Sequence, residues 1–298
     1  MKMEWSGVIP AITTKFNDDL TIDYAFVAEH CKWMVDSGCT GIMALGSLGE
    51  GATLEHDEKV RILETCLEAV GDRVPVVAGV SALSTAQAVA VAQDAEKVGC
   101  SGLMVLPAYV YKGDWREQRN HFETVFRSTN LSCMLYNNPI AYVVDTLPEQ
   151  LAELVDRNPN VHAVKESAAD IRRVTAIRHL LGDRIRIFVG VDDLIVEGIA
   201  AGAVGWIAGL VNAFPKESVD LFNLARAGKW DEADRLYKWF LPLLKLDVVP
   251  TFVQLIKLTQ QEVGMGTEKV RPPRLELVGP EREEALAIIR KGIETRPA

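Results

Sequence analysis

Eight short apolar runs, separated by stretches of helical period, constrain this sequence more than any other feature. They are GVIPAIT from Gly7, GIMALG from Gly41, VPVVAGV from Val74, GLMVLP from Gly102, SCMLYNN from Ser132, VHAVKES from Val161, RIFVGVD from Arg186 and AVGWIAG from Ala203. Runs this short and this uniformly apolar suit strands buried on both faces, as in a parallel sheet. The intervening segments EHDEKVRILETCLEAVG, STAQAVAVAQDAEKVG and DIRRVTAIRHLLG carry apolar residues at helical spacing, and each ends in glycine, the usual residue just past a helix. An internal echo, GCTGIMAL at 38–45 and GCSGLMVL at 99–106, marks two copies of one turn-then-strand unit. Eight strand-plus-helix units predict an α/β fold closed into a (β/α)8 TIM barrel in preference to an open sheet.

Beyond Pro215 the strand patterns stop, and KESVDLFNLARAG, WDEADRLYKWFLPLLKLDVV, TFVQLIKLTQQEVG and EREEALAIIRKGIE read as helices. The first completes the barrel. We therefore expect the barrel and its active site over residues 1–228 and a C-terminal helical extension over residues 229–298, packed on it. The extension's apolar faces must be covered by the barrel, by one another or by another subunit.

Composition narrows the class. A chain of 298 residues that is 48% hydrophobic can bury a large core. Its net charge of −9 argues against nucleic acid or an anionic membrane as partner. No run approaches the roughly 20 apolar residues of a spanning helix. MKMEWSGVIPAITTKF lacks the unbroken apolar stretch of a signal peptide, so a soluble, cytoplasmic protein is expected. Cys31, Cys39, Cys66, Cys100 and Cys133 follow no C-x-x-C spacing and read as reduced packing residues. His30, His56, His121, His162 and His179 form no metal-ligand pair, so no metal is expected.

In such a barrel the C-terminal strand ends form the active-site rim. They carry Thr13 and Thr14, GSLGE from Gly46, Ser81, PAYVY from Pro107, YNN from Tyr136, KES from Lys165, GVDD from Gly190 and GLVN from Gly209. Along the sixth strand Ala163 and Lys165 share one face, and His162, Val164 and Glu166 the other. An inward Lys165 above the small Ala163 leaves room for a substrate. Desolvation lowers a lysine's pKa from about 10.4, giving a neutral amine able to form a Schiff base with a carbonyl. The competing reading is an ion pair with a neighbouring carboxylate, although the adjacent tips offer Tyr136 and Ser167 first. Tyr136 suits a proton shuttle, or else a packed aromatic whose hydroxyl merely finds a partner. GSLGEG matches neither phosphate-binding pattern, and Glu50, Asp192 and Asp193 would repel a phosphate. The backbone N–H groups of Ser47 and Leu48 suit a single carboxylate.

GSLGE after the second strand, YNNP after the fifth and VKES on the sixth, in that order and spacing, resemble the family of dihydrodipicolinate synthase and N-acetylneuraminate lyase over essentially the whole chain. The resemblance implies a homotetramer of barrels, a Schiff-base lysine at Lys165, proton transfer by Tyr136 with help from the Ser47 hydroxyl, and carboxylate binding by Ser47 and Leu48. It implies no cofactor beyond the lysine itself. Tyr109 matches by position a residue that reaches a neighbouring subunit's site, with Tyr111 close enough to compete. Gly190 and Gly205 are pocket candidates, where a missing side chain lets a substrate approach backbone carbonyls. Synthases of this family usually carry two threonines in the loop and an arginine five residues after the motif tyrosine. Here those positions are Ser47, Leu48 and Ala141, which leaves a second carboxylate without a counter-charge.

GSLGEGATL, AYVVD, VKESAADIRR, GVDDL and GAVGWIAGLVNAFP further resemble one branch, the 1-pyrroline-4-hydroxy-2-carboxylate deaminases of hydroxyproline breakdown. That branch acts on a small cyclic imine with one carboxylate and one hydroxyl, releasing ammonia and 2,5-dioxopentanoate. The expectation from sequence is therefore this deaminase. Its rivals are a pyruvate-dependent aldolase or lyase acting on a 2-keto-3-deoxy acid, a dihydrodipicolinate synthase-like activity, and a non-catalytic metabolite-binding barrel.

Overall fold

The computed structural model describes residues 3–108 and 111–297. Each apolar run becomes a strand: β1 Gly7–Pro10, β2 Ile42–Ala44, β3 Val76–Val80, β4 Gly102–Val105, β5 Ser132–Asn137, β6 Val161–Glu166, β7 Arg186–Val189 and β8 Gly205–Ala208. They pair in parallel in the order β1-β8-β7-β6-β5-β4-β3-β2. The ring closes where Ala11, just past β1, bridges Met43 of β2. The strands are buried almost throughout, because barrel contents cover one face and helices the other.

Helices α1 Tyr24–Asp36, α2 His56–Val70, α3 Thr85–Val98, α4 Trp115–Arg127, α5 Pro139–Tyr142, α6 Pro148–Arg157, α7 Arg172–Leu181, α8 Ile195–Ala201 and α9 Pro215–Arg226 lie between and after the strands. Their ends follow local chemistry. Ser84 caps α3 by accepting from Gln87 N, and Gly99 ends it in the left-handed region at φ +100°. Asp114 and Glu117 close a reciprocal capping box at the start of α4. At the N-terminal mouth of the barrel, Trp5 sets its ring edge-on to Phe188 at 6.0 Å and donates from Nε1 to Ser132 Oγ at 2.7 Å.

The extension comprises α10 Trp230–Leu244, α11 Phe252–Glu262 and α12 Gly279–Glu294. The stretch read from sequence as one helix to Val249 instead leaves α-geometry at Leu244 and tightens into a 3-10 turn, Lys245–Asp247. The turn carries the carboxyl of half-buried Asp247, its Oδ1 shut off from solvent, into the space that a side chain at Gly209 would need, at the end of β8. The barrel covers part of the extension's inner surface. From α11, Gln260 Oε1 accepts from Thr13 Oγ1 at 2.8 Å, and Lys257 Nζ reaches Thr14 O at 2.8 Å. All five cysteines are buried and unbridged. No helix among the described residues is long and apolar enough to cross a membrane.

Candidate active site

Strand alternation decides where the two ionisable side chains of β6 go. Lys165 turns into the barrel, paired in register with Tyr136 of β5 and Phe188 of β7. It is 7% exposed, and its Nζ lies 4.3 Å from the centre of the Tyr136 ring. Among the described residues no carboxylate forms an ion pair with it; the described ion pairs nearest in sequence, Arg172–Asp170 and Arg173–Asp145, lie beyond the strand. Glu166 takes the opposite face, against Ile171, Val174 and Val189. There it accepts from Ala168 N at 2.8 Å and from Asn137 Nδ2 at 3.1 Å, and burial pushes its carboxyl up to about 7. Asp192 is fully buried and braces the end of β8, accepting from Trp206 Nε1 at 2.9 Å and Leu210 N at 2.8 Å. Burial raises it to about 6, against the pull of those donors and of Lys165.

The loop after β2 is a tight turn bounded by two non-glycine residues in the left-handed region, Leu45 at φ +65° and Glu50 at φ +55°. Gly49 admits the close pass of the chain just beyond β1: a Cβ there would lie 2.8 Å from Ile12 O. Thr14 Oγ1 ties the turn down through Gly49 O at 2.7 Å. Among the described hydrogen bonds Ser47 N and Leu48 N have no acceptor, which leaves them as donors for an anion. The Ser47 hydroxyl bonds to the hydroxyl of Tyr142, whose ring stands edge-on to Tyr136 at 5.9 Å. Asn138 fixes this corner from both ends, donating from Nδ2 to Tyr136 OH at 2.9 Å and accepting Ala141 N on Oδ1 at 3.0 Å to cap α5.

Ser47, Tyr136 and Lys165 therefore converge as the sequence suggests, with Leu48 beside them, but Tyr142 joins them unannounced. The signal was present in YNNPIAY, where Asn before Pro starts a helix and returns the second tyrosine over the first. Ser167, at the tip of the same strand as Lys165, lies in this corner too. Its Oγ is buried without a hydrogen-bond partner among the described residues, beside the Lys165 stem. Gly190 lies there too: a Cβ on it would collide with Ser167 Oγ and stand 2.5 Å from Lys165 Cε. The space it leaves is used by the lysine. Gly205 opens β8 at the end of the strand opposite the rim, and the ring of Phe188 fills its place. Tyr111 is 61% exposed and donates its hydroxyl to Glu117 of its own α4 at 3.0 Å, while Tyr109 lies outside the described residues. No group of three histidine, cysteine or acidic residues among those described could hold a metal ion.

Comparison with known proteins follows the same lines. The family model for the dihydrodipicolinate synthetase family matches residues 4–291. The 4-hydroxy-tetrahydrodipicolinate synthase of Desulforamulus reducens is 29% identical over 281 residues, 94% of this chain and 95% of that protein. The synthase of the same name from Methanococcus maripaludis is 31% identical over 271 residues, 91% of this chain and 93% of that one. Among solved structures, the 4-hydroxy-tetrahydrodipicolinate synthase of Methylacidiphilum fumariolicum SolV aligns with a TM-score of 0.94 at 26% identity, covering 98% of this chain and 97% of its own.

Proposed function

The chain belongs to the dihydrodipicolinate synthetase family, and from that premise we propose that it is a class I lyase whose Lys165 forms a Schiff base with a small 2-oxo acid carrying one carboxylate. The observation that carries this reading is the Lys165 amine, buried in the barrel over the Tyr136 ring and free of any ion pair among the described residues. The Nζ lone pair attacks the C2 carbonyl, the oxygen leaves as water after protonation, and the iminium loses a C3 proton to give an enamine. The enamine carbon then bonds to an acceptor aldehyde, or in reverse is left behind when a carbon–carbon bond of a longer keto acid breaks. Hydrolysis of the iminium returns the amine. Tyr136 and the hydroxyls of Ser47 and Tyr142 move the protons, and Ser47 N and Leu48 N hold the carboxylate. The synthase names of the relatives support the pyruvate-dependent arm.

A second reading has its own observation. Ala141 is exposed, and Arg173, whose two terminal nitrogens bind Asp145 at 2.8 and 2.6 Å, is already engaged. Among the described residues a second carboxylate would find no free guanidinium at that corner, which favours a monocarboxylate such as 1-pyrroline-4-hydroxy-2-carboxylate. Lys165 would attack C2 of the ring imine and the ring nitrogen would leave as a primary amine. Loss of a C3 proton would then expel the 4-hydroxyl as water, proton shifts would carry the unsaturation to C5 as an enamine and then an imine, and hydrolysis at C5 and at C2 would release ammonia, 2,5-dioxopentanoate and the free lysine.

One experiment separates these readings. Wild type and Lys165→Ala are treated with borohydride in the presence of pyruvate, 2-keto-3-deoxy acids or the cyclic imine, and adduct, pyruvate and ammonia are measured. A trapped adduct on Lys165 with turnover of pyruvate or a keto acid supports the lyase. Ammonia release that disappears in Lys165→Ala supports the deaminase. No adduct with any of them counts against the Schiff base and favours a metabolite-binding barrel.

A further inference from the structure

The loop that presents Ser47 and Leu48 is held from outside the barrel. Glu50, two residues after Leu48, is 1% exposed despite its charge, and it sits in the left-handed region at φ +55°. Its Oε1 accepts from Lys257 Nζ of α11 at 2.8 Å, and its Oε2 accepts from Arg271 N at 3.0 Å. Lys257 is itself 1% exposed and donates also to Thr14 O at 2.8 Å, while Thr14 Oγ1 binds Gly49 O. One ammonium thus grips the loop directly through Glu50 and indirectly through Thr14. Arg271 fastens the outer side, with its guanidinium on Glu58 at 2.6 and 2.8 Å, on Thr53 O at 3.0 Å and on Leu20 O at 2.7 Å. Both cations stand 4.6 Å from the centre of the buried Phe16 ring.

We propose that Lys257 is a positioning residue for carboxylate recognition: acting through Glu50 and Thr14, it holds the 46–51 turn so that Ser47 N and Leu48 N point together at the substrate's carboxylate. This rests on the Schiff-base reading given above. If the pair served only to dock the extension, apolar side chains of similar volume would do as well, because two buried charges must first be stripped of water. What an ion pair adds is direction. This one is aimed at the left-handed residue of the turn, and its remaining hydrogen bond goes to the strand end that holds the same turn. The helical extension is then part of the binding apparatus, reaching the barrel's substrate loop from more than 200 residues away in sequence.

The decisive protein is the double variant Glu50→Gln with Lys257→Met, since Lys257→Met alone leaves a carboxylate buried without its cation and can fail to fold. Two quantities are compared with wild type: hydrogen exchange of the 46–51 amides without ligand, and the 2-oxo acid concentration that half-saturates borohydride trapping at Lys165. In a cooperatively folded double variant, loop exchange and half-saturation should each rise at least about tenfold, and turnover at saturation should fall as well, because the Ser47 hydroxyl rides on the same turn. Unchanged loop exchange overturns the tether, and faster exchange with unchanged half-saturation overturns its role in binding. Absence of trapping in the wild type overturns the Schiff-base reading, while loop exchange still decides the tether. Should the double variant not fold, Lys257→Arg replaces it. Its larger planar fork cannot occupy the place of the ammonium between Thr14 O and Glu50 Oε1 without shifting one of them, and faster loop exchange with unchanged half-saturation there overturns the proposal.

Discussion

Adjacent residues on β6 place an amine and a carboxyl in different surroundings, and each gives a separate test. Tyr136 lies under the amine, so removing its hydroxyl should leave the covalent step possible and slow the proton transfers. Tyr136→Phe is expected to lower kcat by about 10²–10⁴-fold while borohydride still traps Lys165, as read by turnover and mass spectrometry. Glu166, on the outer face, is raised to about 7 chiefly by burial, from 4.5. The folded protein therefore holds a proton there that the unfolded chain has released. Stability from this group is full below pH 4.5 and is lost as pH rises through 7, by about 3 kcal/mol in all. Buried His30, lowered to about 4, acts in the opposite sense, so the difference between wild type and Glu166→Gln is the quantity to follow. Thermal unfolding from pH 4 to 8 should show the wild type losing more stability than the variant, and parallel curves would count against the shift. Lys165 and Tyr136 were legible because a strand's two-residue period says which side chains face inward. Tyr142 and Ser167 were harder to see. One reaches the site by a helical return, and the other is distinguished only by a buried hydroxyl with no hydrogen-bond partner among the described residues.

At the scale of elements, the strands were readable because apolar residues on both faces leave little else for such short runs to become. Helix ends were less so: α10 stops where Asp247 must meet the end of β8, a tertiary demand with no local mark. The position of a glycine along its strand separates function from packing in a paired prediction. Gly190 follows the end of β7, where an added methyl would push on Lys165 Cε and Ser167 Oγ. Gly190→Ala should fold and yet trap a 2-oxo acid on Lys165 about 100-fold more slowly, since small misplacements of a reacting group cost that much. Gly205 lies at the other end of β8, where the methyl would meet the Phe188 ring with atoms at 2.5 Å or closer. Gly205→Ala should lower stability by about 1–3 kcal/mol, seen in chemical denaturation, and slow trapping far less. If the two variants had the same profile, the division of these strands into rim and base would not hold for catalysis.

At the scale of the whole molecule, one feature was invisible from spacing and another was implied by the family resemblance alone. The extension's grip on the substrate loop joins Lys257 to Glu50, residues 207 positions apart, and no periodicity connects them. The assembly is the other. A net charge of −9 keeps chains apart in general, yet the outer loops of the rim leave Leu83 66%, Ile140 69% and Val143 61% exposed. Exposed apolar side chains grouped at one end of a molecule call for cover. Ile140 and Val143 flank Tyr142, so whatever covers them also steadies the tyrosine that bonds to Ser47. If the cover is a second copy of the chain within the proposed homotetramer, light scattering should give four chains per particle. Paired Ile140→Asp and Val143→Asp substitutions should then give a smaller particle whose turnover falls along with its mass. A wild-type particle of one chain, fully active, would rule out the tetramer and leave the rim loops to be ordered by the barrel alone.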